Sequence, residues 1–143
     1  MLRTLLSGFA VLAVAATAAV AAPQKGKPPS TGPGCKPQVS VILGGTVAAA
    51  PGGGATLPFS LMVTVGHANR LGHAYVTASQ PVTVTVTNQT RIRRGSEHGL
   101  AALQAMLVGD RVRVQARVCK ADLASGATPA LTAKRVGAHP ATP

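Results

Sequence analysis

Apolar and polar residues alternate most sharply from Val82 to Thr87, where Val82, Val84 and Val86 take one parity and Thr83, Thr85 and Thr87 the other. Successive side chains of a strand point to opposite faces, so this run predicts a strand with one buried side. The parity carries on past Asn88, with Ile92 on the side of the valines and Arg91 and Arg93 on the side of the threonines. Upstream, Leu57, Phe59, Leu61, Val63 and Val65 alternate with Pro58, Ser60, Met62 and Thr64, which predicts a second strand. The β-rich run from Val39 to Val47 predicts a third, closed by the turn signal at Pro51-Gly-Gly-Gly. No period is sustained between Gly66 and Gln80, a stretch expected to be a long loop or to hold one short irregular strand.

After Gly95-Ser96 the period changes. Leu100, Leu103 and Leu107, with Met106 beside them, recur at helical spacing, with Ser96 placed as an N-cap and Gly109 as the stop. Alternation then returns: Val112, Val114, Ala116 and Val118 are expected to face inward, and Arg111, Arg113, Gln115 and Arg117 outward. A last strand is expected around Leu131 to Val136. Three strands, one short helix and two strands form an all-β chain in the order of an OB-like barrel, five strands closed on themselves with the helix between strands 3 and 4. Closure also removes the edges that so many valines and threonines would offer to other chains. A β-sandwich is the alternative, and the lone helix between the third and fourth strands argues against it.

The N-terminus carries different information. Residues 1–22 run from Arg3 through an Ala/Val/Leu stretch and change abruptly to Pro, Lys and Gly, the layout of a secretory signal peptide. The small residues Ala19 and Ala21 suit cleavage near Ala21 or Ala22. The stretch is too rich in Ala, Ser, Gly and Thr to read as a permanent anchor, so no transmembrane segment is expected after cleavage. Residues 23–37 have the Pro/Gly/Lys/Ser composition of a flexible linker, residues 38–137 the patterned domain, and residues 138–143 a disordered tail. Roughly 120 residues after the leader support a single domain with a modest core.

Export changes the meaning of the cysteines. Cys35 and Cys119 are the only two, and an exported chain with two is expected to join them, the alternative being two unpaired thiols. Without CxxC spacing they make no zinc set. The formal charge is +11, which bears on partners and solubility and not on fold. An anionic envelope polymer, an anionic lipid surface or nucleic acid are the partners such a charge suits, outside the cytoplasm or in the envelope.

Candidate chemistry is sparse. The acids Glu97, Asp110 and Asp122 are too few and scattered for a paired-carboxylate site, so no enzymatic activity and no cofactor are expected. Asp110, just after Gly109, suits a turn residue bonding backbone amides. His67 and His73 lie in the unpatterned stretch near Tyr75; two imidazoles suit copper or zinc but need further ligands, and solvated loop histidines are the plainer reading. Asn88-Gln89-Thr90 matches a glycosylation acceptor and equally a turn. The sharper cluster is Arg91, Arg93, Arg94, Arg111, Arg113 and Arg117, one guanidinium-rich anion-binding surface if their strands are neighbours, or else a solvated outer face. OB barrels that bind single strands stack bases on aromatic rings, and the chain after the leader has only Phe59 and Tyr75, so sequence-specific nucleic-acid binding is not expected.

The order of these pieces resembles an uncharacterised family of exported bacterial domains, domain of unknown function five-six-six-six. The matching residues are Gly45-Thr46-Val47, Val82 to Thr90 with Arg91 after it, Leu103 to Leu107, Val108-Gly109-Asp110-Arg111-Val112-Arg113-Val114, and Ala133 to Val136. The resemblance spans roughly Val39 to Val136 and implies an OB-like barrel without an assigned activity. The two cysteines and the stretch from Gly66 to Gln80 depart from that pattern.

Overall fold

The computed structural model describes residues 34–78, 80–124 and 126–141. The expected signal peptide at residues 1–22 and most of the expected linker lie outside the described residues.

Among the described residues, seven strands and two short α-helices follow one another as β1 (Gln38–Val47), β2 (Phe59–Ala68), α1 (His73–Val76), β3 (Val82–Val86), β4 (Arg91–Arg94), β5 (Glu97–His98), α2 (Gly99–Gln104), β6 (Arg111–Cys119) and β7 (Leu131–His139). β1 pairs antiparallel with β2 and β6, β2 with β3, and β6 with β7. A parallel pairing of β3 with β7, Val84 opposite Leu131, closes the ring. The result is the expected OB-like five-stranded barrel with its helix between the third and fourth barrel strands. The alternating sets fill it: Val41, Leu43, Leu61, Val63, Val84, Val86, Val112, Val114, Ala116, Leu131 and Val136 belong to one buried cluster.

Four details differ from the sequence pattern. First, the unpatterned stretch is not a loop: β2 continues to Ala68, and Arg70–Gly72 and His73–Val76 form short helical turns. In the β1–β2 ladder Gly44 faces His67 and Gly45 faces Val65, so Gly66 is an extra, unopposed residue that reverses the parity. Asn69 then stands in for a further strand residue. Its N–H donates to Ile42 O (3.0 Å), its Oδ1 accepts from Ile42 N (3.2 Å) and Gly72 N (3.1 Å), and its Nδ2 donates to Ser40 O (2.9 Å). Tyr75 on α1 is buried and donates its hydroxyl to Pro129 O at 2.6 Å, and burial pushes its pKa up to about 12.

Second, the run from Val82 to Arg94 is broken. The turn at Asn88-Gln89 splits it into β3 and β4, both parallel to β7 on the same edge. The buried Thr90 hydroxyl accepts from Thr87 N (2.9 Å) and donates to Ala133 O (2.7 Å), which ties the turn to β7. Third, Ser96 caps nothing. Gly95, at φ +58°, and Ser96 turn β4 back onto β5, so α2 starts only at Gly99, with His98 preceding it, and ends at Gln104, short of Gly109. Ala102, Leu103 and Met106 plug the barrel, while Leu100 and Leu107 are exposed. Fourth, β7 runs to His139 and buries Ala138, two residues beyond the expected boundary, and the Ala141 amide bonds Asp110.

The expected disulfide is present: Cys35 and Cys119 are joined, with Cα atoms 5.9 Å apart. It fixes the chain just ahead of β1 to the end of β6, where Lys120 N also donates to Pro37 O at 3.1 Å.

Candidate functional site

The sheet runs β1, β6, β7, β4, β5 across one side of the barrel, so outward residues of these strands line up in rows. One row reads His67, Gly44, Arg113, Gly137, Arg93 and His98. The next reads Ile42, Gln115, Arg135 and Arg91. On the other side of the first row stand Thr46, Arg111 and His139. Strands lie ~4.8 Å apart and alternate residues ~6.8 Å apart along a strand, so Arg93 and Arg113 flank Gly137 with their Cα atoms roughly 10 Å from one another.

Gly137 leaves a hole in this basic surface. A Cβ placed there meets nothing within 4 Å. An open hollow of ≈ 560 Å³ lies over it, walled by Arg91, Arg93, Arg113 and Arg135 with His98 and His139. A second depression, of ≈ 400 Å³, shares Arg93, Gly137 and His139. No carboxylate lines either one. Glu97 faces Arg94 in the β4–β5 pairing, on the opposite parity from Arg93 and His98. The Arg93 Nε donates to Gly95 O at 2.9 Å, which leaves its two terminal amino groups without a hydrogen bond to Gly95.

The six arginines expected on one surface divide into three groups. Arg91, Arg93 and Arg113 wall the hollow. Arg111 and Arg117 are exposed on the same side of β6, one row above and two below Arg113, outside its walls. Arg94 does not belong to the surface: it shares the parity of the buried Ile92 and its guanidinium meets Asp110, with Nε at 2.6 Å from Oδ2 and a terminal nitrogen at 3.3 Å from Oδ1. Asp110 also accepts from the Leu107 amide at 3.0 Å, the turn role expected of it. Burial by itself raises the Asp110 carboxyl, but the hydrogen bonds from Arg94 and the Leu107 and Ala141 amides outweigh it and hold the carboxyl below the usual range. Charge pairing thus consumes one of the predicted anion-binding residues.

Arg135 and His139 were not among the candidates. The signal was the parity break on β7, where Leu131 and Ala133 are buried but so is Val136. Ala133 opposes Ala116 and Arg135 opposes Gln115, so Lys134 is extra and Arg135 is turned outward.

His67 lies over Gly44, where its ring takes the space a Cβ needs, and His73 opens α1. Among the described residues no three His, Cys, Asp or Glu side chains are grouped to hold a metal. Tyr75 belongs to the core and Phe59 packs against it, and neither lines the hollow. No helix among the described residues is long and apolar enough to cross a membrane. No family model matches the chain, and no curated protein and no solved structure matches it either.

Proposed function

We propose that this protein is an exported, non-enzymatic OB-like barrel that binds polyanions through the outer face of β4, β6 and β7. The observation that carries the reading is the convergence of Arg91, Arg93, Arg113 and Arg135 from three adjacent strands around the open Gly137, with no carboxylate among them. A surface kept basic only for solubility gains nothing from removing the one side chain at its centre. Of the acids on these strands and their turns, Asp110 is already committed to Arg94 and Glu97 lies on the opposite parity from Arg93 and His98. Export is supported by the leader composition of residues 1–22 and by the disulfide, which persists in oxidising compartments. The resemblance to the five-six-six-six family is consistent with the same reading and adds no ligand to it.

Contacts made by exposed arginines are charge-driven and screened over ~10 Å at 0.1 M salt, so binding should weaken steeply as salt rises and discriminate little among polymers. The test is retention on an anionic matrix at moderate salt, comparing the parent with a variant carrying Arg91→Ser, Arg93→Ser, Arg111→Ser and Arg113→Ser. Loss of retention with an unchanged melting temperature is the expected result. Undiminished retention would assign the binding to Lys25 and Lys27 of the N-terminal segment and end the proposal.

A further inference from the structure

The face has a centre, and the centre has a shape. We infer that the hollow over Gly137 is a seat for a terminal phosphate group, that of a phosphomonoester or of a short oligophosphate. This rests on the polyanion reading above and goes beyond it by naming one site and one chemical group.

Arginines line this hollow on opposite walls. Arg113 belongs to β6 and Arg93 to β4, and Gly137 of the intervening β7 is paired with both. Arg91 and Arg135 are themselves paired one row along the strands, ~6.8 Å away. An occupant must therefore accept hydrogen bonds from two sides and from along the groove at once. A carboxylate has two oxygens in one plane and suits a single bidentate arginine. A terminal phosphate has three acceptor oxygens pointing in different directions and a charge of about −1.5 to −2 at pH 7, which suits several forks converging from different strands. Internal phosphodiesters have fewer such oxygens and one charge.

The floor is what admits the group. Any side chain at Gly137 would stand between Arg93 and Arg113 and occupy the space that the phosphate needs. Nothing in the backbone demands glycine there: it lies within β7, its φ is not positive, and an added Cβ has open space around it. The residue that leaves the hollow open is thus not explained by folding. The hydrogen bond from the Arg93 Nε to the Gly95 carbonyl uses one of its five N–H groups and leaves four for an anion. The site is built on β4, β6 and β7, and no residue of β2 or β3 lines it.

The experiment titrates the full chain with inorganic tripolyphosphate, glycerol phosphate and the tricarboxylate tricarballylate by calorimetry at low salt. It compares the parent with Gly137→Leu, which keeps every charge, and with Gly137→Ala as a milder filling. Tripolyphosphate is expected to bind the parent at least tenfold more tightly than tricarballylate. Gly137→Leu should weaken tripolyphosphate at least tenfold, and Gly137→Ala by less, with melting temperatures close to the parent. Glycerol phosphate binding alongside tripolyphosphate identifies a monoester source, and tripolyphosphate alone an oligophosphate; either supports the seat. Equal affinity for the tricarboxylate, or full affinity in both glycine variants, overturns it. Should Gly137→Leu lose its fold, Gly137→Ala decides alone. If the four-arginine variant loses retention while both glycine variants keep tripolyphosphate, the seat is wrong and the basic face stands. If the four-arginine variant retains polyanions, the broader reading has failed.

Discussion

Asp110 gathers hydrogen bonds from the Arg94 guanidinium and from the Leu107 and Ala141 amides at the point where the chain enters β6. Its folded carboxyl titrates below the ordinary carboxylate value, so the stability it contributes is fully present above ~3.9 and is lost as pH falls from there through the depressed folded value. With only three acidic residues in the sequence, the acid limb of a stability curve has few other sources. Asp110→Asn removes the charged acceptor and is expected to destabilise by about 1–3 kcal/mol near neutral pH. Thermal melts between neutral and strongly acid pH should show the parent falling towards the variant below about pH 4. Parallel curves that keep their separation would refute the assignment. Arg94 is the same lesson seen from its partner: a residue type suited to anions becomes structural when its strand parity aims it at a carboxylate.

Among the elements, α2 tests most directly how packing selects from a periodic pattern. Leu100, Leu103 and Leu107 look alike in the sequence, yet Leu103 is fully buried and Leu107 is 59% exposed, because the helix ends at Gln104. Leu103→Ala is expected to cost about 2–5 kcal/mol as a cavity at the barrel end. Leu107→Ala should fall within about 0.5 kcal/mol of the parent. Urea denaturation of the two variants gives the comparison, and equal losses would mean that the helix continues through Leu107. The strands show the complementary limit. Alternation marked β3 and β6 correctly because they are regular, whereas the bulges at Gly66 and Lys134 reverse parity mid-strand and hid the end of β2 and the orientation of Arg135.

For the molecule as a whole, the disulfide spans 84 residues and encloses most of the barrel. In the chain-entropy model a loop of that length stabilises by about 4–5 kcal/mol. Reduction is accordingly expected to lower the melting temperature by roughly 20 °C in a domain of this size. Intact-mass measurement of material recovered outside the cytoplasm should show residues up to Ala21 or Ala22 removed and both thiols oxidised. A retained Met1 in that material would defeat the proposal of a cleaved leader, and a melting temperature indifferent to reductant would remove the stabilising role of the bridge.

The all-β class, the number of barrel strands, the place of the helix, the inward valines and the role of Asp110 in its turn were all legible in the chain, since each depends on local periodicity or on turn chemistry. The pairing of Cys35 with Cys119 followed from there being only two cysteines to join. What the chain alone did not determine is which outward residues become neighbours. That depends on the parallel pairing of β4 with β7, on the bulge that turns Arg135 outward and on the pairing of Gly137 with Arg93 and Arg113, contacts between residues distant in sequence. Periodicity describes one strand at a time, while the arginine-lined hollow exists only across three of them.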